Sequence, residues 1–287
     1  MNNKPPIIIS GLGGSGTRVV AEIFMHVGVF LGSDLNNSLD NLFFTFLFKH
    51  PHKFTFPNSQ QASLVHQLFD VHHKILLRNE SMTVNDLRWL AWAGLQHGIH
   101  RIYYNWRWVA SRWYKIFIAK HKTIKPASSW GWKEPHVVYF LPQLLEFYPE
   151  AKFVFLIRHG LDMAFTRNDQ QFRHWPLYYG EKNFVRIPRA MFDYWYQFNK
   201  YALGIAEQQL GKERFHVVKL ENLYGVNKHE HIIRLLKYID IDDVPDDVLR
   251  IPQVPTSANR YLKHDISWID AEVEQKLTEF GYSVNLA

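Results

Sequence analysis

The 287-residue sequence has no cysteine, which removes a disulfide framework, a thiolate nucleophile and any Cys-ligated zinc or iron–sulfur centre. No apolar run approaches 18 residues, so no stretch reads as a membrane span. The opening MNNKPPIII lacks the apolar core of a secretory signal. A soluble cytoplasmic protein is the resulting expectation. Internal repeats, low-complexity tracts and a clear interdomain linker are missing too, so a single domain over 1–287 is expected. Hydrophobic residues make up 47% and charged residues 21%, a balance that forms a core and argues against disorder.

Carboxylates are scarce in one region. Between Asn41 and Lys133, 13 Lys and Arg stand against Asp70, Glu80 and Asp86 alone, a local balance of +10 in a chain whose total is +6. From Leu87 to Lys133 there is no Asp or Glu, and seven of the ten tryptophans lie there. Such asymmetry suggests an anionic partner, whether substrate, lipid surface or nucleic acid. The sixteen histidines include His72-His73 and the His97/His100 pair, but no H-E-x-x-H or comparable ligand set, so no metal is expected.

Residues 6–10, 152–157 and 215–220 read as buried strands. Thr17–Val27 has helical spacing, with Val19, Val20, Ile23, Phe24 and Val27 on the inner face. A helical stretch carrying Val137, Phe140, Leu141, Leu144 and Leu145 precedes the second strand. Strands alternating with helices predict an α/β core with a mostly parallel sheet covered on both faces. The segment 41–129 reads as a helical insert, with helices over 60–77, 83–97 and 99–120; further helices are expected over 184–210 and 269–280. In the third insert helix, Ile99, Ile102, Tyr103, Trp106, Ala110, Trp113 and Phe117 form an apolar stripe expected to pack inward, while Arg107 and Arg112 fall elsewhere.

Gly11-Leu12-Gly13-Gly14-Ser15-Gly16-Thr17-Arg18 lies between a strand and a helix. Glycines let backbone N–H groups converge on an anion, and the helix N-terminus adds partial positive charge. A nucleotide-triphosphate P-loop reads G-x-x-x-x-G-K-S/T; here Thr17 stands in the lysine position, which disfavours an ATPase or GTPase. A plain strand-to-helix turn is the simpler alternative, but it requires fewer glycines.

Without that lysine the loop resembles the one in sulfotransferases, P-K/R-S-G-T-T/S, with Gly14 where many members have a basic residue. Phe153–Gly160 running on to Thr166 resembles the family's second motif. There an Arg leaves a strand end and a hydroxyl follows eight residues later, so Arg158 and Thr166 match. Trp130-Gly131-Trp132-Lys133-Glu134-Pro135 is similar to W-G-W-K-x-P of bacterial members, Lys219–Leu223 to Y/V-E-D-L, and Pro255–Asp265 to a late basic loop whose matching residue is Arg260. The resemblance implies a P-loop/Rossmann-like three-layer core and sulfuryl transfer from 3′-phosphoadenosine 5′-phosphosulfate (PAPS), with no metal, to a hydroxyl or amine. Gly13, Gly14, Ser15, Gly16, Thr17 and Arg18 would hold the 5′-phosphosulfate. Arg158, Thr166 and Arg260 would hold the 3′-phosphate. Lys133 would neutralise charge on the transferring group, and either Lys133 or Arg18 would stand in for the basic residue absent at Gly14.

Transfer also needs a base for the acceptor's proton. The resemblance puts Asp34 first, because some family members carry a carboxylate at that distance from the loop serine, followed by Asp40, Glu134 and His136. The insert would form a lid for an acceptor, with a carbohydrate first among candidates because sugars stack on tryptophan faces. Other readings are a P-loop-type small-molecule kinase, or a nucleic-acid or membrane-surface binder built on the basic aromatic insert.

Overall fold

The computed structural model describes residues 4–54, 61–78, 80–100, 104–118, 129–175, 185–211 and 213–284. Its strands are β1 (Ile7–Gly11), β2 (Gly131–Lys133), β3 (Lys152–Ile157) and β4 (Phe215–Lys219). They form one mostly parallel sheet in the order β2-β1-β3-β4, the α/β arrangement expected from the alternation of elements. β2 is the short strand that Pro135 terminates, since proline cannot extend a ladder. It runs parallel to β1 with Ile7 opposite Gly131, Ile8 opposite Trp132 and Ile9 opposite Lys133.

The helices among the described residues, in chain order, are α1 (Thr17–His26), α2 (Leu42–Phe48), α3 (Ala62–Leu77), α4 (Val84–His100), α5 (Trp106–Phe117) and α6 (Leu141–Phe147). They continue as α7 (Gly160–Ala164), α8 (Gln170–His174), α9 (Pro188–Gln209), α10 (Lys228–Tyr238) and α11 (Ala271–Glu279). None is long and apolar enough to cross a membrane. On α1, Val20, Ile23 and Phe24 are fully buried, as the spacing predicts.

Two compact units emerge: Met1–Ser10 with Val20–Phe153, and Gly11–Val19 with Val154–Ala287. The first is organised around α2, seven residues (LFFTFLF) that are all buried. Such a run has no helical period and gives no sign of which element it forms. Its helix is set instead by Asn41, whose side-chain oxygen accepts the Phe43 and Phe44 amides at 3.1 and 2.9 Å. Phe44 and Phe48 stack at 4.4 Å, and Phe48 meets Phe69 of α3 at 4.7 Å. The second unit packs Phe192, Trp195 and Phe198 of α9 inward, and the Trp195 indole donates to the Arg158 carbonyl at 3.0 Å.

The third insert helix differs from the sequence reading in two ways. Ile99 and His100 belong to α4, and α5 starts at Trp106 because the Asn105 side chain caps the Trp108 amide at 3.2 Å; Ile102 and Tyr103 lie outside the described residues. The stripe expected to face inward is exposed at Ile99, Trp106, Trp113 and Phe117, and it is Arg112 that is buried. A buried carboxylate, Asp34, draws the polar side of α5 inward.

Candidate active site

The glycine-rich loop, the residues after β3 and the late loop all belong to the second unit. Thr17 opens α1 and is buried, Arg18 projects on its exposed side, and Gly14 at the tip is open to solvent. Gly14 has φ +100°, and a side chain there would press on the Thr166 hydroxyl, 3.2 Å from the position of its first carbon. Ser15 is buried with its hydroxyl unpartnered among the described residues, and its amide donates to the Leu12 carbonyl at 2.9 Å. A second loop amide is also committed: Gly13 N–H donates to the side-chain oxygen of Gln171 at 2.5 Å. No sequence signal connects these two, because 158 residues separate them.

Arg158 leaves the end of β3 and is buried. Its guanidinium donates to the Gly14 carbonyl at 3.3 Å, to the Ser257 carbonyl, and to Asp162 at 2.7 Å. The same Asp162 oxygen accepts the Asn259 amide at 3.1 Å. Asn259 has φ +54°, a left-handed conformation asparagine tolerates better than most residues. Arg260 donates from Nε to Ser257 at 3.2 Å, so Ser257 links it to Arg158. Thus Gly14, Arg158, Thr166 and Arg260 come together from segments far apart in the chain.

Of these, Thr166 and Arg260 line a cavity of about 880 Å³, within the range of small-ligand sites, together with Ser257, Arg167, Arg186 and His264. The His264 ring stacks on Phe165 at 4.3 Å. Burial, and then the neighbouring Arg158, push Arg260 below the ordinary arginine value. Guanidiniums crowded this way favour a multiply charged anion, because each helps to hold what the others attract.

The remaining candidates belong to the first unit. Lys133 ends β2, in register with Ile9 of β1. Its buried ammonium donates to the Ser38 carbonyl at 3.0 Å and to the Asp40 carboxylate. Burial, then the neighbouring Glu134, raise Asp40 above the usual aspartate value despite that partner. Lys49, at the end of α2, is pushed down by burial and partly restored by Glu134 and Asp40.

Glu134 caps a 3₁₀ turn at Pro135–Phe140. One oxygen accepts the Thr45 hydroxyl at 2.9 Å and the other the His136 Nδ1 proton at 2.6 Å. Burial alone would raise Glu134, but the hydrogen bond and charge of His136, with Lys49 and Lys133, bring it down to about 2. Burial and Lys49 lower His136 to about 4 against the pull of Glu134. At neutral pH the pair is a carboxylate and a neutral imidazole protonated at Nδ1, whose Nε2 carries the basic lone pair. Thr45 was not singled out from sequence, although it is the one hydroxyl in an otherwise apolar seven-residue run.

Asp34 is placed differently. Its buried carboxylate is shared between Arg112 Nη1 at 2.8 Å and Lys115 Nζ at 2.5 Å, both on α5. Its backbone carbonyl accepts the Leu42 amide at 2.9 Å. The residue counted first as a base is here an anchor joining α5 to the start of α2. Among the described residues, no group of three or more His, Asp or Glu could hold a metal ion.

The sequence pattern described as "Sulfotransferase family" matches residues 5–246, and the chain belongs to that family. The chain is similar to several solved structures of low identity. The sulfotransferase domain from the curacin biosynthetic pathway is 14% identical with a TM-score of 0.50, over 98% of this chain and 99% of that one. The sulfotransferase domain from the Synechococcus PCC 7002 olefin synthase is 16% identical with a TM-score of 0.46, over 99% and 98%. Sulfotransferase STF1 from Mycobacterium tuberculosis H37Rv is 14% identical with a TM-score of 0.45, over 96% and 77%. No curated protein matches significantly.

Proposed function

We propose that this sulfotransferase takes its sulfuryl group from PAPS and delivers it to a hydroxyl or amine, with a carbohydrate as the first acceptor to test. The observation that carries the donor assignment is the meeting of Gly14, Arg158, Thr166 and Arg260 beside an arginine-lined cavity. A nucleotide with phosphate at both its 3′ and 5′ positions supplies the anion these groups would balance. The roles follow from chemistry. Arg158, Thr166 and Arg260 bind the 3′-phosphate. The amides and hydroxyls of Gly14–Thr17 bind the 5′ end at the N-terminus of α1, with Arg18 at its outer edge.

The donor supplies a sulfur whose bond to the phosphate oxygen breaks as a bond to the acceptor forms. Lys133 offsets the negative charge that develops on the departing oxygen. His136 accepts the acceptor's proton at Nε2, and Glu134 holds the ring through Nδ1 and stabilises the imidazolium that results. This places His136 ahead of Asp34 as the base, because two cations already occupy the Asp34 carboxylate.

Calorimetric titration with 3′-phosphoadenosine 5′-phosphate (PAP), adenosine 5′-phosphosulfate and ATP tests the donor. PAP should bind tightest; preference for ATP would make the protein a kinase-like nucleotide binder. Transfer of labelled sulfate from PAPS to a panel of glycans, phenols and peptides then assigns the acceptor.

A further inference from the structure

Helix α5 is turned the wrong way round for a solvated surface helix. Two of its three charged side chains, Arg112 and Lys115, turn inward to pair with Asp34, Arg112 lying over the Trp108 ring at 5.1 Å, while Arg107 stays exposed. Four of its five aromatic side chains point outward, Trp106 being 46% exposed, Trp113 39%, Tyr114 55% and Phe117 48%, and the capping Ile118 adds to them at 68%, while Trp108 packs against Phe46 and His97. A surface helix ordinarily does the reverse. These side chains and Ala110 line a shallow groove of about 480 Å³, and contiguous apolar surface of this kind marks a binding face.

The arrangement is built in. Gly94 and Gly98 of α4 face α5. A side chain at Gly98 would collide with the Trp106 ring, and one at Gly94 would crowd Trp113 and Val109 at 3.2 Å. The glycines thus let α5 lie close with its rings tilted over the seam. Leu95 and Ile99, each one residue beyond a glycine, extend the exposed apolar surface onto α4.

Charge identifies the occupant. The exposed charged residues described from Leu87 to Ile118 are Arg88 and Arg107, and the sequence has no carboxylate from Leu87 to Lys133. A second copy of this face would bring arginine against arginine with no acid to separate them. Aromatic rings on the outer side of a helix, flanked by cations and free of carboxylates, suit the boundary between anionic headgroups and acyl chains. We infer that the α4–α5 face docks on an anionic phospholipid bilayer, with Trp106, Trp113 and Phe117 entering the interface and Arg88 and Arg107 pairing with headgroups. This face shares no residue with those proposed to bind the nucleotide, so the inference does not depend on the donor assignment.

The test is flotation of the full chain with vesicles of phosphatidylcholine alone and of phosphatidylcholine with phosphatidylglycerol. The chain should float with the second kind and not with the first, and high salt should release it. Arg88→Glu with Arg107→Glu should reduce partitioning about tenfold or more. Trp113→Ser with Phe117→Ser should abolish it, while PAP binding and the melting temperature stay unchanged. Quenching of native tryptophan fluorescence by brominated lipid checks insertion without any substitution. Absence of binding to both vesicles, equal binding to both, or no quenching would overturn the inference. So would a dimer that Trp113→Glu dissociates, or preferential retention on a single-stranded oligonucleotide.

Discussion

Glu134 and His136 are two residues apart, yet their side chains meet at 2.6 Å across the cap of a 3₁₀ turn. Pro135 between them fixes the chain so that both side chains return to the same side, and Thr45 holds the other carboxylate oxygen. The imidazole is therefore oriented before any substrate arrives, which lowers the cost of arranging it at the moment of proton transfer.

His136→Gln should lower kcat by roughly 100-fold to 10,000-fold, the usual contribution of a positioned base, with PAP affinity preserved. Glu134→Gln should lower it less, because the ring stays hydrogen-bonded but loses the charge that stabilises its protonated form. His136 stays neutral above about 4, so the acid limb of the kcat profile should fall near pH 4 to 5 rather than near 6.5. Steady-state rates across pH for the three proteins check this; an unchanged kcat in His136→Gln would remove it as the base.

Arg158→Lys should weaken PAP binding by about 1.5–3 kcal/mol, the worth of a charge-assisted hydrogen bond, and leave adenosine 5′-phosphosulfate nearly unaffected. Lysine keeps a charge in the buried position, so fold loss is less of a confounder than with alanine. Equal losses for both nucleotides in calorimetry would detach Arg158 from the 3′-phosphate.

Gly14→Val should abolish PAP binding with the melting temperature little changed. Valine resists a φ of +100° and would press on Thr166, but the loop tip is open to solvent, so the core is untouched. Retained PAP affinity in this variant would place the 5′ end of the nucleotide away from the loop.

Asp34→Ala should destabilise the protein by about 3–5 kcal/mol, since it leaves the buried Arg112 without its counter-charge. The readout is a urea midpoint rather than a rate. If the variant instead kept full stability and lost turnover, Asp34 would return as the base.

Burial lowers His72 to about 3 and His97 to about 4, against about 6.5 in an unfolded chain. The unfolded state therefore takes up these protons first as the pH falls. Their contribution is fully present above about pH 6.5 and is lost on acidification, at roughly 1.4 kcal/mol per pH unit for each group. Urea midpoints at pH 7.5 and pH 5 should differ accordingly, and His72→Phe should flatten the difference.

The strands were legible because PIIIS, KFVFLI and FHVVK are short apolar runs bounded by breakers, and the glycine-rich loop announced itself by composition. α2 was not, because seven buried residues in a row carry no period. The orientation of α5 was misread for a different reason. Periodicity identifies an apolar face but not which way it points, and the deciding partner, Asp34, lies 78 residues before Arg112 in the sequence. Lys133, Arg158, Thr166 and Arg260 were readable from their motifs, whereas the Glu134–His136 pairing depends on the backbone bend at Pro135.

Lys133 already has an anion of its own. With Asp40 as counter-ion, the lysine works as an exchanger rather than as a vacant acceptor of negative charge, and an incoming group must outcompete a carboxylate tethered four residues from Asn36. That competition subtracts the same amount from every anion, so weak ones such as chloride or a lone carboxylate fail while a polyvalent one succeeds. Displaced from the ammonium, Asp40 would remain beside Glu134 with its main compensation gone, which pushes its carboxyl further above the usual aspartate value and toward taking up a proton. Ligand capture at Lys133 would then register in calorimetry as a heat that changes with the ionisation enthalpy of the buffer.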